Sequence, residues 1–275
     1  MRDVIRRHDL SAKRALGQHF LLDTNLIDRI ARVAGPLAGV NVLEVGPGPG
    51  GLTRALLAHD AAQVVAIEKD PRCVAALGEL RDAAAGRLRI IAGDALEIDA
   101  VEAVPAPRRI VANLPYNIST VLLLRWLARA DCFDRMVLML QREVAERLSA
   151  QPSTKAYGRL SVMTQWLCTV KTEFNVDRAA FTPPPKVTSS VVTLTPRPKP
   201  LASAERRWLE AVTASAFNQR RKMLRSSLRS WNFDLEELGI DPQARAEELS
   251  VEQFCALARA AATVPTPPIP PTRKD

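Results

Sequence analysis

The apolar run Asn41-Val42-Leu43-Glu44-Val45 passes without interruption into Gly46-Pro47-Gly48-Pro49-Gly50-Gly51 and then into a helical pattern from Leu52 to Ala58. A buried strand, a glycine loop and a helix in that order form the nucleotide-holding unit of doubly wound α/β folds, which limits the chain to a parallel sheet flanked by helices. Two glycine patterns fit the loop. Gly46, Gly48 and Gly51 satisfy G-x-G-x-x-G, whose backbone N–H groups cradle a pyrophosphate. Pro47 and Pro49 delete two of those donors, so a ligand without phosphates fits better. The second pattern, an acidic residue followed by G-x-G-x-G, is met by Glu44, Gly46, Gly48 and Gly50 and typifies S-adenosylmethionine sites.

The strands that follow repeat the theme. Gln63 to Ile67 ends in Glu68-Lys69-Asp70 before a helix opened by Pro71, and Leu88 to Ala92 ends in Gly93-Asp94-Ala95. A carboxylate at the end of the second strand lies beside the glycine loop and has two oxygens to accept both ribose hydroxyl protons, whereas Asp94 can accept from an adenine amino group. The plain alternative for Glu68 is an exposed charge that ends a strand. A fourth run, Arg109 to Ala112, stops on Asn113-Leu114-Pro115-Tyr116. Pro115 contributes no N–H, so the Leu114 carbonyl and the Asn113 amide can be aimed outward as acceptors for a planar amine beside a flat ring. Here the competing reading is a loop in which Asn113 caps the next helix and Tyr116 merely packs. Ligands of open α/β sheets bind outside the carboxyl ends of the strands, and four successive ends carry Gly46, Glu68, Asp94 and Asn113.

Upstream, the basic and then apolar segment Lys13 to Leu21 precedes a helix that Asp23 caps and that runs through Leu26, Ile27, Ile30 and Val33. Downstream, helical patterns at Val121 to Ala130, Val144 to Leu148 and Leu160 to Leu167 alternate with strands at Met136 to Leu140, Val170 to Val176 and Val187 to Leu194, which completes seven strands. The stiff loop Ala180-Phe181-Thr182-Pro183-Pro184-Pro185-Lys186 holds Phe181 either as a functional ring or as a buried one.

Pro196-Arg197-Pro198-Lys199-Pro200 reads as a linker. The expected organisation is a first domain over 1–196, with 1–22 as an N-terminal basic segment, a small helical domain over 197–263 with helices near Asp234 to Leu238 and Val251 to Ala262, and a disordered proline-rich tail over 264–275. Composition adds where the charge lies. The net charge is +8, and nine basic residues against two acidic fall between Arg197 and Trp231. Arg220, Arg221 and Lys222 sit in Phe217 to Leu224, which reads as a basic helix laid along phosphates, with a solvated helix face as the alternative. No apolar run reaches the ~20 residues that span a bilayer, no secretory pattern opens the chain, and the four cysteines are scattered, so a cytoplasmic protein without membrane, disulfide framework or metal site is expected.

Leu16-Gly17-Gln18-His19-Phe20-Leu21, the loop after Leu43-Glu44-Val45, Gly93-Asp94-Ala95, Asn113 to Tyr116, Phe181 to Lys186 and Phe217 to Lys222 together resemble the bacterial small-subunit ribosomal RNA adenine dimethyltransferases, over about residues 11 to 262. The resemblance implies a seven-stranded class I methyltransferase fold with a small helical C-terminal domain. It implies S-adenosylmethionine as cofactor, and as substrate two adjacent adenosines in the 3′-terminal hairpin of 16S rRNA in the 30S precursor, methylated by a monomer. It further implies that His19, Leu21, Gly46, Gly48, Glu68, Asp94 and Asn113 line the cofactor site, and that Asn113, Leu114, Pro115, Tyr116 and Phe181 hold the target base. The family usually has asparagine where this chain has His19. Rival readings are a non-catalytic rRNA-binding assembly factor, a large-subunit rRNA methyltransferase of the resistance type, and an NAD-dependent oxidoreductase, the last disfavoured by Pro47 and Pro49.

Overall fold

The computed structural model describes residues 2–8, 10, 12 and 18–263. The basic part of the Lys13 to Leu21 segment and the proline-rich tail of 264–275 lie outside the described residues. In chain order the elements are α1 (Arg2–Arg7), β1 (Phe20–Leu21), α2 (Thr24–Val33), β2 (Asn41–Val45), α3 (Gly51–Ala58), β3 (Gln63–Glu68), α4 (Pro71–Ala83), β4 (Leu88–Ala92), α5 (Ala100–Ala103), β5 (Arg108–Asn113), α6 (Ser119–Leu127), β6 (Arg135–Gln141), α7 (Arg142–Ser149), α8 (Arg159–Leu167), β7 (Cys168–Val176), β8 (Phe181–Thr182), β9 (Ser189–Pro196), α9 (Arg206–Asn218), α10 (Leu224–Ser227) and α11 (Val251–Thr263).

Seven strands form one sheet in the order β4-β3-β2-β5-β6-β9-β7. β4, β3, β2, β5 and β6 are mutually parallel, and β9 enters antiparallel to β6 with Val137 opposite Thr193. Met136 to Leu140 are fully buried, as a strand covered on both faces must be, and this explains why the run is continuously apolar rather than alternating. Short polar side chains begin the helices that follow. Asp23 accepts from the N–H groups of Asn25 and Leu26 to cap α2, and Asp70 accepts from Arg72 N with Pro71 at the first helical position of α4.

One compact unit comprises Met1–Ala145 with Lys171–Pro196, the other Glu146–Val170 with Arg197–Asp275. The sequence expectation placed all of 1–196 in the first unit, and the structure moves 146–170 to the second. The reason is a shared core. Tyr157, Val162, Met163 and Trp166 pack with Leu209, Val212, Phe254 and Leu257, and the Trp166 indole N–H donates to the carbonyl of Ala202 at 2.8 Å. Residues near Asp234 to Leu238, expected as a helix, form turns. Among the described residues no helix is long and apolar enough to cross a membrane.

Candidate functional site

Because β4, β3, β2 and β5 are adjacent and parallel, their carboxyl ends lie side by side. A cleft of about 1200 Å³, open to solvent, runs along them and is lined by Asp94, Glu68, Gly46 and Asn113 together with Gln18 to Leu21. The four strand-end residues expected to converge therefore do so at one site.

The backbone decides between the two glycine patterns. Gly46, Gly48 and Gly50 all have positive φ, whereas Gly51 is the first residue of α3. Gly50 has φ +85°, a conformation other residues rarely adopt, and a Cβ there would also lie 2.7 Å from Leu77 Cδ2, so any substitution would be strained. The alternating pattern after Glu44 is thus the one the fold requires. Three of the loop's N–H groups are already engaged within the protein. Gly46 N donates to the Ile67 carbonyl at 2.9 Å, Gly48 N to Glu68 at 3.0 Å and Gly50 N to the Pro47 carbonyl at 3.0 Å, while Pro47 and Pro49 have none.

Three carboxyl groups differ sharply in environment. Glu68 is 6 % exposed; its Oε2 accepts from Gly48 N and its Oε1 from Asp70 N at 2.8 Å, and the backbone N–H of Lys69 also bonds the carboxylate. Burial raises its pKa, opposed by those backbone hydrogen bonds. Asp94 stays an anion, its pKa lowered by the Lys69 ammonium at 2.7 Å and by the N–H of Leu96 at 2.9 Å. Glu44, 2 % exposed, is pushed up to about 8 by burial and accepts a 2.6 Å hydrogen bond from the Thr53 hydroxyl. Burial thus favours its protonated form.

At the end of β5, the Leu114 N–H donates to the Met139 carbonyl, the Pro115 carbonyl accepts from Ile118 N and the Tyr116 carbonyl from the Ser119 hydroxyl. Among the described residues the Asn113 amide and the Leu114 carbonyl have no hydrogen-bond partner. The helix-cap reading of Asn113 is excluded, since α6 begins after Ile118 with no side-chain cap. A Cβ on Gly46 would meet Pro115 Cγ at 3.2 Å, so the glycine loop and the Asn-Leu-Pro-Tyr turn are packed against each other. Tyr116 shares a 2.6 Å hydrogen bond with the Ser189 hydroxyl.

β1 and β8 pair antiparallel, with Phe20 opposite Thr182 and Leu21 opposite Phe181. This pairing places Phe181, 2 % exposed, in the core with Leu21, Ile27 and Val176. Phe181 is therefore not a wall of the cleft, and of its two readings the buried ring holds. The ring beside Tyr116 is instead His19, stacked at 5.9 Å between centroids with 29° between planes. In the second unit the basic stretch is not a helix face. α9 ends at Asn218, a turn closes with Lys222 N donating to the Gln219 carbonyl, and Arg220 pairs with Glu247 at 2.6 Å while donating to the carbonyls of Thr154 and Lys155. Arg221 and Lys222 remain exposed. Gln18, Lys69 and Ser189 escaped the sequence reading. Gln18 and Lys69 adjoin recognised positions, but nothing local marks Ser189.

The family model for ribosomal RNA adenine dimethylase matches residues 9–263. The ribosomal RNA small subunit methyltransferase A of Paramagnetospirillum magneticum is 62 % identical over 263 residues, covering 94 % of either chain, and that of Rhodospirillum rubrum is 57 % identical over 264 residues, covering 94 % of this chain and 91 % of its own. Among solved structures, a dimethyladenosine transferase from Plasmodium falciparum superposes with a TM-score of 0.76 at 27 % identity over 87 % of this chain and 96 % of its own. The 23S rRNA methyltransferase ErmE gives 0.67 at 28 % identity over 88 % and 99 %.

Proposed function

The chain belongs to the ribosomal RNA adenine dimethylase family, and from that premise we propose that it dimethylates the exocyclic amino groups of two adjacent adenosines in the 3′-terminal hairpin of 16S rRNA. It acts in the bacterial cytoplasm as a monomer on the 30S precursor during small-subunit biogenesis. The observation that carries this reading is the pair of unpartnered acceptors, Asn113 amide and Leu114 carbonyl, in the same cleft as the glycine loop and the Tyr116 ring.

The site suits S-adenosylmethionine, which supplies an electrophilic methyl group on a sulfonium. Glu68 would accept from the ribose hydroxyls and Asp94 from the adenine amine, and Gly46 and Gly48 would let the ligand approach the backbone closely, with His19 and Leu21 also lining the cleft. An exocyclic adenine nitrogen is a poor nucleophile because its lone pair is delocalised into the ring. Asn113 and Leu114 would accept its two hydrogens and favour the pyramidal form, so that orientation and stabilisation of charge on nitrogen supply the rate. Tyr116 would stack on the flipped base for ~1–3 kcal/mol, which offsets much of the cost of extruding it. A second methylation leaves one amino hydrogen, so one acceptor must be dispensable. In the second unit, Arg221 and Lys222 would contact phosphates.

Under-methylated 30S particles from a strain lacking this protein, incubated with it and methyl-labelled cofactor, test the reading. Two labelled adenosines in the 3′-terminal hairpin, mapped by primer extension, are the expected result. Label in 23S rRNA instead would assign the large-subunit activity, and no label anywhere would leave a binding factor.

A further inference from the structure

The geometry points to the His19 side chain as a positioning residue for Tyr116, holding the ring on which the target base stacks. This rests on the methyltransferase reading above and assigns a role within that site. Antiparallel pairing of Phe20 with Thr182 and Leu21 with Phe181 makes Pro183 the next register partner of His19, and His19 Nδ1 lies 2.7 Å from the Pro183 carbonyl. A carbonyl only accepts, so Nδ1 carries the hydrogen, and one such bond fixes the plane of an imidazole. The anchor is itself stiff, being the first of three consecutive prolines.

The ring held in that plane is the one stacked on Tyr116. The tyrosine is thus restrained twice, on one face by His19 and at its phenol end by Ser189 of β9. In this proposal the base stacks on the face of Tyr116 that His19 does not cover. Phe181, the ring first expected to complete the base site, is withdrawn into the core by the same β1–β8 pairing that brings His19 into place. An asparagine at position 19 could keep the bond to Pro183 but would leave the tyrosine face without a ring.

A residue that acts through Tyr116 has no further effect once the Tyr116 ring is gone, so a double-mutant cycle tests the proposal. The parent protein, His19→Ala, Tyr116→Ala and the double variant are compared in steady-state methylation of under-methylated 30S particles, with cofactor affinity measured separately by calorimetry without RNA. His19→Ala is expected to raise KM for the particle about tenfold, the lower part of what one stacking contact contributes. In the Tyr116→Ala background it should raise KM no further. His19→Asn, which keeps a donor for Pro183, repeats the cycle should the alanine variant fail to fold. Additive effects in the cycle, or an unchanged KM in both His19 variants, overturn the proposal, as does a rise in cofactor Kd that accounts for the whole loss. Absence of methyl transfer by the parent protein would overturn the functional reading instead, on a separate measurement.

Discussion

The backbone N–H of Gly48 donates to Glu68 Oε2 at 3.0 Å, so the carboxylate proposed to hold the cofactor ribose also fixes the turn of the glycine loop. Its other oxygen holds the N–H of Asp70 at the start of α4. One side chain therefore joins the ends of two adjacent strands before any ligand arrives.

Glu68→Gln keeps the volume and replaces one acceptor oxygen with a donor, which must face either a backbone N–H or a ribose hydroxyl. Hydrogen bonds to charged groups contribute roughly 1.5–3 kcal/mol, so cofactor affinity should fall by about 10–100-fold while affinity for rRNA is unchanged. Calorimetric titration with S-adenosylmethionine decides this, and equal curves for variant and parent would remove Glu68 from the site.

Glu44 sets a pH dependence. Its folded-state pKa of about 8 lies above the ordinary glutamate value of 4.5 because burial disfavours the anion. Between those two values the native state holds a proton that the unfolded state has released, so stability falls as pH rises through that window, by an amount on the order of a few kcal/mol. Glu44→Gln has no proton to lose. Urea unfolding at pH 5 and pH 8.5 should show the parent losing markedly more stability than the variant, although Glu68, with its pKa also raised, contributes the same sign in both. Equal losses would refute the assignment.

Asn113 and Tyr116 should fail differently. Asn113→Ala removes an acceptor that matters most as the amine nitrogen gains charge, so the single-turnover methylation rate should drop by the order of 10²–10³-fold with cofactor and 30S particles saturating. Tyr116→Phe keeps the stacking ring but leaves the buried Ser189 hydroxyl without its partner. It should retain most of the rate at a stability cost of about 1–3 kcal/mol. A parental rate for Asn113→Ala would show that the amide is not the amine acceptor.

The three basic residues after α9 divide in the same way. Arg220 is tied to Glu247 and to two carbonyls, and Arg220→Ala should lower the melting temperature of the protein. Arg221 and Lys222 are exposed, so replacing both by alanine should leave melting unchanged, weaken rRNA binding and flatten its salt dependence by up to ~0.7–0.9 per lost phosphate contact. A salt slope identical to the parent's would assign both side chains to solvent.

How much of this was legible in the chain follows from how far apart the determinants lie. Strand, glycine loop and helix, the aspartate cap at 23, and Gly46, Glu68, Asp94 and Asn113 at four strand ends were readable because backbone chemistry acts over a few residues, and parallel topology then brings successive strand ends together. The alternation of Gly46, Gly48 and Gly50 was written in the sequence, yet only their φ values showed that Gly51 has no such requirement. The assignment of 146–170 to the second unit, the burial of Phe181, the stacking of His19 on Tyr116 and the Tyr116–Ser189 bond were decided by tertiary structure alone. The residues of each last pair are 97 and 73 positions apart, and the two-residue strand that delivers His19 forms only against a partner about 160 positions downstream. Two residues carry no periodicity of their own, so hydrophobic packing of Leu21 and Phe181 into a common core, a long-range event, selects that pairing and with it the ring that faces the site.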